Sequence, residues 1–241
     1  MLFYVYNCLV FFEKNLYRTK KSYLRELLSI HTGLFVLHLC IVNSTQTTST
    51  KFLIKKIIMA NIQVPTRDQV DTKAQGIFEN LKKQLGTVPN LYATIGYSSD
   101  ALESFLGFSG SAGKGTFSNK EVEAIKLAVS QVNECQYCLA AHTALAKMNG
   151  FDEAQTLELR AATINDARLG AITQLAREVA GNQGKASTRA IDNFLAQGFD
   201  EKGLIDLIAV VIAVTFTNYV HGVTKVPVDF PKTESLAEVS A

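Results

Sequence analysis

Between positions 123 and 142 the chain reads EAIKLAVSQVNECQYCLAAH, with Cys135 and Cys138 three apart and His142 four beyond Cys138. On an α-helix, residues three and four apart share a face. Two thiols and an imidazole are therefore gathered on one strip of helix without help from distant parts of the chain. Upstream, Val122, Ile125, Leu127, Ala128, Val129 and Val132 recur with helical period. Ser118 with Glu121 three residues on is a capping box that starts that helix. Asn133 and Glu134 mark a break, which puts Cys135 near the start of the next helix. That helix runs through Leu139, Ala140, Ala141, Leu145 and Met148 to a stop at Asn149-Gly150.

The rest of the chain from Met59 onward reads as helix too. Thr66 is the expected cap of a helix carrying Val70, Ala74, Ile77, Phe78 and Leu81 inward and ended by Gly86. The turn TVPN, a short apolar element at Leu91, Tyr92 and Ile95, and a helix capped by Ser98 or Ser99 follow, before a flexible connection at GSAGKG. Further helices are signalled at 152–162, 166–180, 187–197 and from Asp200 to about Tyr219. The last contains LIAVVIAVTF, apolar all round and too short to span a bilayer, so it reads as a central core helix. No stretch after Met59 sustains strand alternation, and the expected fold is all-α, a single helical domain. Phe117 opens FSNKEVEAIKLAVSQV and Phe199 opens FDEKGLIDLIAVVIAV. This weak echo predicts a duplicated helical hairpin whose second copy has Thr217 and Val220 in place of the cysteines.

Charge divides the chain differently from its average. The net charge is +2, but residues 1–58 hold eight Lys/Arg against two Asp/Glu and no Ala, Asp or Pro. The remaining 16 basic and 20 acidic residues leave the core at −4, which removes support for a nucleic-acid partner. Residues 1–58 read as an atypical basic extension upstream of a natural start at Met59, with a membrane-associated leader as the alternative; residues 59–241 form the helical domain. The core domain is expected to work without a membrane.

A helix N-terminus stabilises a thiolate, and cysteines three apart can close a disulfide within one turn. His142 lies one turn from Cys138 and can take its proton; Glu123 can orient His142 if the two helices fold back on each other. A lone CxxC can also be half a zinc site, completed by His142 and a distant His221, or a pair of inert buried cysteines. Taken singly, His142 and Glu123 are ordinary helix-surface groups. His221 has no partner in view and reads as structural or pocket-lining.

Glu123, Cys135-x-x-Cys138 and His142, with VPN at 88–90, CQYCLAAHT, and the late Asn218-Tyr219 followed by VDFP, resemble the alkylhydroperoxidase-D-like branch of the carboxymuconolactone decarboxylase superfamily. The resemblance covers roughly residues 62–231. It implies an all-helical subunit assembling as a trimer or hexamer. It also implies roles: Cys138 as the peroxide-attacking thiolate, Cys135 as the resolving cysteine, and Glu123 and His142 as a proton relay. Tyr137 departs from relatives that have histidine between the cysteines.

The expected activity is a thiol-dependent peroxidase acting on organic hydroperoxides or hydrogen peroxide. Its disulfide would be restored by a dithiol reductant protein, lipoyl-type or thioredoxin-like, without cofactor or metal. A lyase of the decarboxylase type and a non-enzymatic redox sensor are the alternatives. A redox-active pair with no further cysteine in the core fits a reducing cytoplasm.

Overall fold

A computed structural model describes residues 62–112 and 114–236. The chain divides into two units, Met1–Met59 and Ala60–Ala241. The expectations for the basic extension and for Met59 lie outside the described residues. In the second unit the helices are α1 (Thr72–Leu85), α2 (Asn90–Ile95), α3 (Ser99–Ala112), α4 (Asn119–Val132), α5 (Gln136–Met148), α6 (Glu153–Ala161), α7 (Ala167–Gly181), α8 (Thr188–Ala196) and α9 (Glu201–Thr224). No strand occurs among the described residues.

Short polar side chains start these helices by satisfying free N–H groups. The Ser118 hydroxyl accepts from Glu121 N while the Glu121 carboxylate accepts from Ser118 N at 2.8 Å. Asp152 caps α6 with the same reciprocal pair, and Asp166, Ser187 and Asp200 cap α7, α8 and α9 by accepting from the N–H three residues on. The first helix begins later than the sequence pattern predicts. Thr66 caps only a 3-10 turn, Arg67–Gln69, and Val70 is extended at φ −120° and ψ 160°. Asp71 is the true cap of α1, because its two oxygens accept from Ala74 N and from the Ser99 hydroxyl.

Helix α4 packs against α5, α6, α7 and α9. One core cluster joins α4, α7, α8 and α9 through Ile125, Val129, Ile172, Leu175, Phe194, Leu207 and Val211. Within it the Phe194 and Phe199 rings stack with centroids 4.2 Å apart, and Phe117 lies 5.4 Å from Phe199. A second cluster surrounds the thiols with Phe78, Leu91, Ile95, Leu102, Phe105 and Val226.

The sequence echo appears as two matched helix starts, buried Phe117 before capped α4 and buried Phe199 before capped α9. It does not extend to a second hairpin, because α9 runs unbroken to Thr224. Nor is α9 buried all round. Leu207, Val210, Val211, Val214, Thr217, Asn218 and His221 face the core, whereas Ile205, Ile208, Ile212, Phe216, Tyr219 and Val223 are exposed. Among the described residues α9 is the one helix long and apolar enough to cross a membrane. Its two-faced burial fits a helix half committed to a protein core.

Candidate active site

The break between α4 and α5 builds the site. Glu134 turns left-handed at φ 52°, a conformation that costs a non-glycine residue about 1 kcal/mol. The chain reverses there, and Cys135 N donates to Ser130 O at 3.0 Å. Cys135 thus becomes the N-cap of α5, its sulfur accepting from Cys138 N at 3.3 Å. Helix α9 is tied to the same break: Asn133 Nδ2 donates to Asn218 Oδ1 at 2.8 Å, and Asn218 Nδ2 donates to Ser130 Oγ at 3.3 Å.

The four residues singled out by spacing separate into two pairs. Glu123 on α4 meets His142 on α5, with Oε2 2.9 Å from Nδ1, and its Oε1 accepts from Lys126 Nζ at 2.9 Å. Glu123 is buried. Burial alone would raise its carboxyl, but the imidazole and the ammonium outweigh that and hold it down at about 2. The fold-back needed for Glu123 to reach His142 is therefore present.

Cys135 and Cys138 form the second pair, both 2% exposed and both free thiols. The Cys138 thiol hydrogen-bonds to the Cys135 sulfur; burial opposes the effect, but with His221 and the Cys138 amide it brings Cys135 down to about 5. The same contact and burial push Cys138 far up. Among the described residues no hydrogen bond joins His142 to either sulfur. Cys138 Sγ instead lies 3.9 Å from Thr217 Oγ1, and Asn218 also reaches it.

His221, expected to be structural or pocket-lining, comes back from α9 beside Tyr137, where its imidazole contributes to lowering the Cys135 thiol. Its position, 86 residues beyond Cys135 in the chain, left no local spacing that could reveal the contact. Tyr137, which stands between the cysteines where relatives have histidine, is part of the same cluster as the two sulfurs. Its ring lies 5.6 Å from that of His221 and 5.6 Å from that of Phe230. The Tyr137 hydroxyl accepts from Leu91 N at 3.2 Å and bonds to Asp229. Asp229 Oδ2 in turn accepts from Asn90 N at 2.8 Å. The tail after α9 thereby closes over the thiol cluster, with Val226 buried in it. Among the described residues no group of three His, Cys, Asp or Glu is arranged to hold a metal ion.

Residues 99–180 match the carboxymuconolactone decarboxylase family model. Over this stretch, 82 of the 241 residues, the chain is similar to that family. The matched stretch contains Glu123, Cys135, Cys138 and His142 but not His221. No curated protein matches the chain at a significant level.

Several solved structures share its fold. A variant of the debrominase Bmp8 in complex with 2,3,4-tribromopyrrole is 15% identical, with TM-score 0.61, over 76% of this chain and 96% of its own. An uncharacterized peroxidase-related protein with an alkylhydroperoxidase AhpD core, from Ralstonia eutropha JMP134, is 18% identical. It has TM-score 0.62 over 71% of this chain and 92% of its own. Another uncharacterized peroxidase-related protein, from Silicibacter sp. TM1040, is 22% identical, with TM-score 0.59 over 70% of this chain and 94% of its own.

Proposed function

We propose that the chain is a thiol-dependent peroxidase working through a Cys135–Cys138 dithiol/disulfide cycle. The observation that carries this reading is the hydrogen-bonded sulfur pair at the N-terminus of α5, one member well below the ordinary thiol range at about 5. One thiolate attacks the terminal oxygen of a hydroperoxide, and the O–O bond breaks. The leaving alkoxide takes a proton and departs as alcohol. The resulting sulfenic acid condenses with the other thiol, forming the disulfide and releasing water. An external dithiol protein, lipoyl-type or thioredoxin-like, then reduces the disulfide. The Glu123–His142 pair is suited to relaying the protons. The apolar surround of the sulfurs favours an organic hydroperoxide. A reducing cytoplasm suits this cycle.

Peroxide consumption by the reduced protein with a panel of dithiols tests the reading. Continuous turnover is the expected result. A single oxidation that stops supports a sensor, and no disulfide after mild oxidation supports inert cysteines. The decarboxylase reading is opposed by the cysteine pair, which decarboxylase members generally lack. An added arm with 2,3,4-tribromopyrrole asks whether the dithiol removes bromide instead, as the debrominase neighbour's name raises.

The subunit is proposed to assemble with copies of itself, as a trimer or hexamer. The exposed apolar stripe of α9 supports self-association, since a soluble monomer rarely leaves so long an apolar strip open.

A further inference from the structure

Two stretches of the sequence, VPN at 88–90 and VDFP at 228–231, have no part in the chemistry of the thiols, yet they meet. Asn90 N donates to Asp229 Oδ2 at 2.8 Å, and Asn90 Nδ2 donates to Pro227 O at 3.1 Å. Pro89, just before α2, offers no capping side chain. The free N–H groups at the start of that helix are therefore satisfied from elsewhere: Asp229 takes that of Asn90, and the Tyr137 hydroxyl takes that of Leu91 at 3.2 Å. Phe230 stands edge-on to Tyr137 with ring centroids 5.6 Å apart. Further along the tail, Arg160 Nη1 donates to Glu234 O at 2.7 Å. The tail thus runs over the cluster that holds both sulfurs, with Val226 buried in it and Phe230 packed against it.

Both cysteines are buried, so neither a peroxide nor another protein's thiolate can touch sulfur until a wall of the cluster moves. The walls are unequal. Helices α1, α2 and α3 bond their backbone groups internally and bury Phe78, Leu91, Ile95, Leu102 and Phe105. The segment before α1 reaches the cluster through Val64 and Val70 and buries Pro65. It is pinned by Gln75 Nε2, which donates to Arg67 O at 3.0 Å and to Val70 O at 3.1 Å. From 226 to 234, by contrast, no backbone–backbone hydrogen bond forms among the described residues. Pro227 and Pro231 have no N–H to give, and Val226 is the one buried residue of that segment. Few buried apolar contacts and an exposed backbone mark the part of a fold that opens first.

We propose that residues 226–234 form a strap over the dithiol, hung on Asn90, and that its release exposes the sulfurs while the helical walls stay folded. This deepens the peroxidase reading and rests on it for the partner admitted, a protein dithiol. The reductant's thiolate must come in line with the Cys135–Cys138 bond. That bond breaks and one cysteine leaves as thiolate; the reductant's second thiolate then displaces the other cysteine, closing the reductant's own disulfide.

The test measures alkylation of Cys135 and Cys138 by iodoacetamide in the full, reduced chain without peroxide. Peptide mass analysis keeps Cys8 and Cys40 out of the reading. Asp229→Ala should raise the rate roughly tenfold, and Asn90→Ala should raise it severalfold, through the lost bonds to the tail. Gln75→Ala, which frees the segment before α1, should label at the wild-type rate. In the wild type the rate should rise only slightly with low concentrations of urea, because releasing a short segment exposes little surface. Circular dichroism identifies a variant that fails to fold, and the other clasp variant and the urea slope then decide.

Wild-type rates in both Asp229→Ala and Asn90→Ala overturn the proposal. So does faster labelling in Gln75→Ala alone, or a urea slope as steep as that of global unfolding. Alkylation needs no substrate, so a strapped protein without peroxide turnover still passes, and an active peroxidase opened by another wall still fails.

Discussion

Glu123 and His142 are separated by 19 positions and an interrupted helix, yet their side chains meet at 2.9 Å. The left-handed turn at Glu134 makes this possible by folding α5 back along α4. A buried carboxylate with two cationic or N–H partners is stable as an anion, whereas an unpaired one would not be.

That pairing fixes the pH behaviour. The folded carboxyl, at about 2, is held below its ordinary 4.5. Its stabilisation, roughly 3 kcal/mol by linkage, is full above about pH 4.5 and is lost as pH falls toward 2. Glu123→Gln should flatten the stability profile across this window in urea unfolding at a series of pH values. A variant that loses stability there as steeply as wild type would refute the assignment.

His142 bonds to Glu123 and to neither sulfur. His142→Gln should therefore lower peroxide turnover at least tenfold by removing the proton carrier, while leaving the acid-range thiolate titration of Cys135 in place. Parallel turnover and titration measurements check this. A large upward shift of the thiolate midpoint would show that His142 acts on the sulfurs directly.

Asp229 joins the tail to the site through Asn90 N and the Tyr137 hydroxyl. Burial and this bond both raise the Tyr137 phenol. Asp229→Ala should bring the Tyr137 titration down, speed amide exchange at Asn90, and cost about 1–3 kcal/mol through the orphaned donors. Spectroscopic tyrosine titration with hydrogen exchange measures both effects.

Phe194 is fully buried and stacked on Phe199. Phe194→Ala should destabilise the domain by about 3–5 kcal/mol through lost transfer energy and the cavity left behind. Guanidinium unfolding reads the loss. A change under about 1 kcal/mol would mean that the surrounding rings collapse into the space.

The open stripe of α9 gives the prediction for assembly. Ile212→Lys places a charge at its middle and should shift the protein toward monomer in sedimentation experiments, with little loss of monomer stability. An assembly unchanged by this substitution would move the interface elsewhere.

Local sequence determined a great deal of this protein. Helix starts at Ser118, Asp152, Asp166, Ser187 and Asp200 are written in side chains that satisfy N–H groups three residues away. The i, i+3, i+7 spacing of Cys135, Cys138 and His142 put them on one helix because helical geometry is itself local. Thr66 misled because Asp71, bonded to distant Ser99, makes the better cap.

Only the tertiary structure decided what each site residue touches. Packing of α5 on α4 gave His142 to Glu123, and packing of α9 across the break gave Thr217 to Cys138 and Asn218 to Asn133 and Ser130. It also left one face of α9 open, which its uniformly apolar sequence concealed. A hydrogen bond between residues far apart in the chain leaves no periodic signal. It depends on where two helices cross, and here the turn at Glu134 and the burial of α9 against α4 set that crossing.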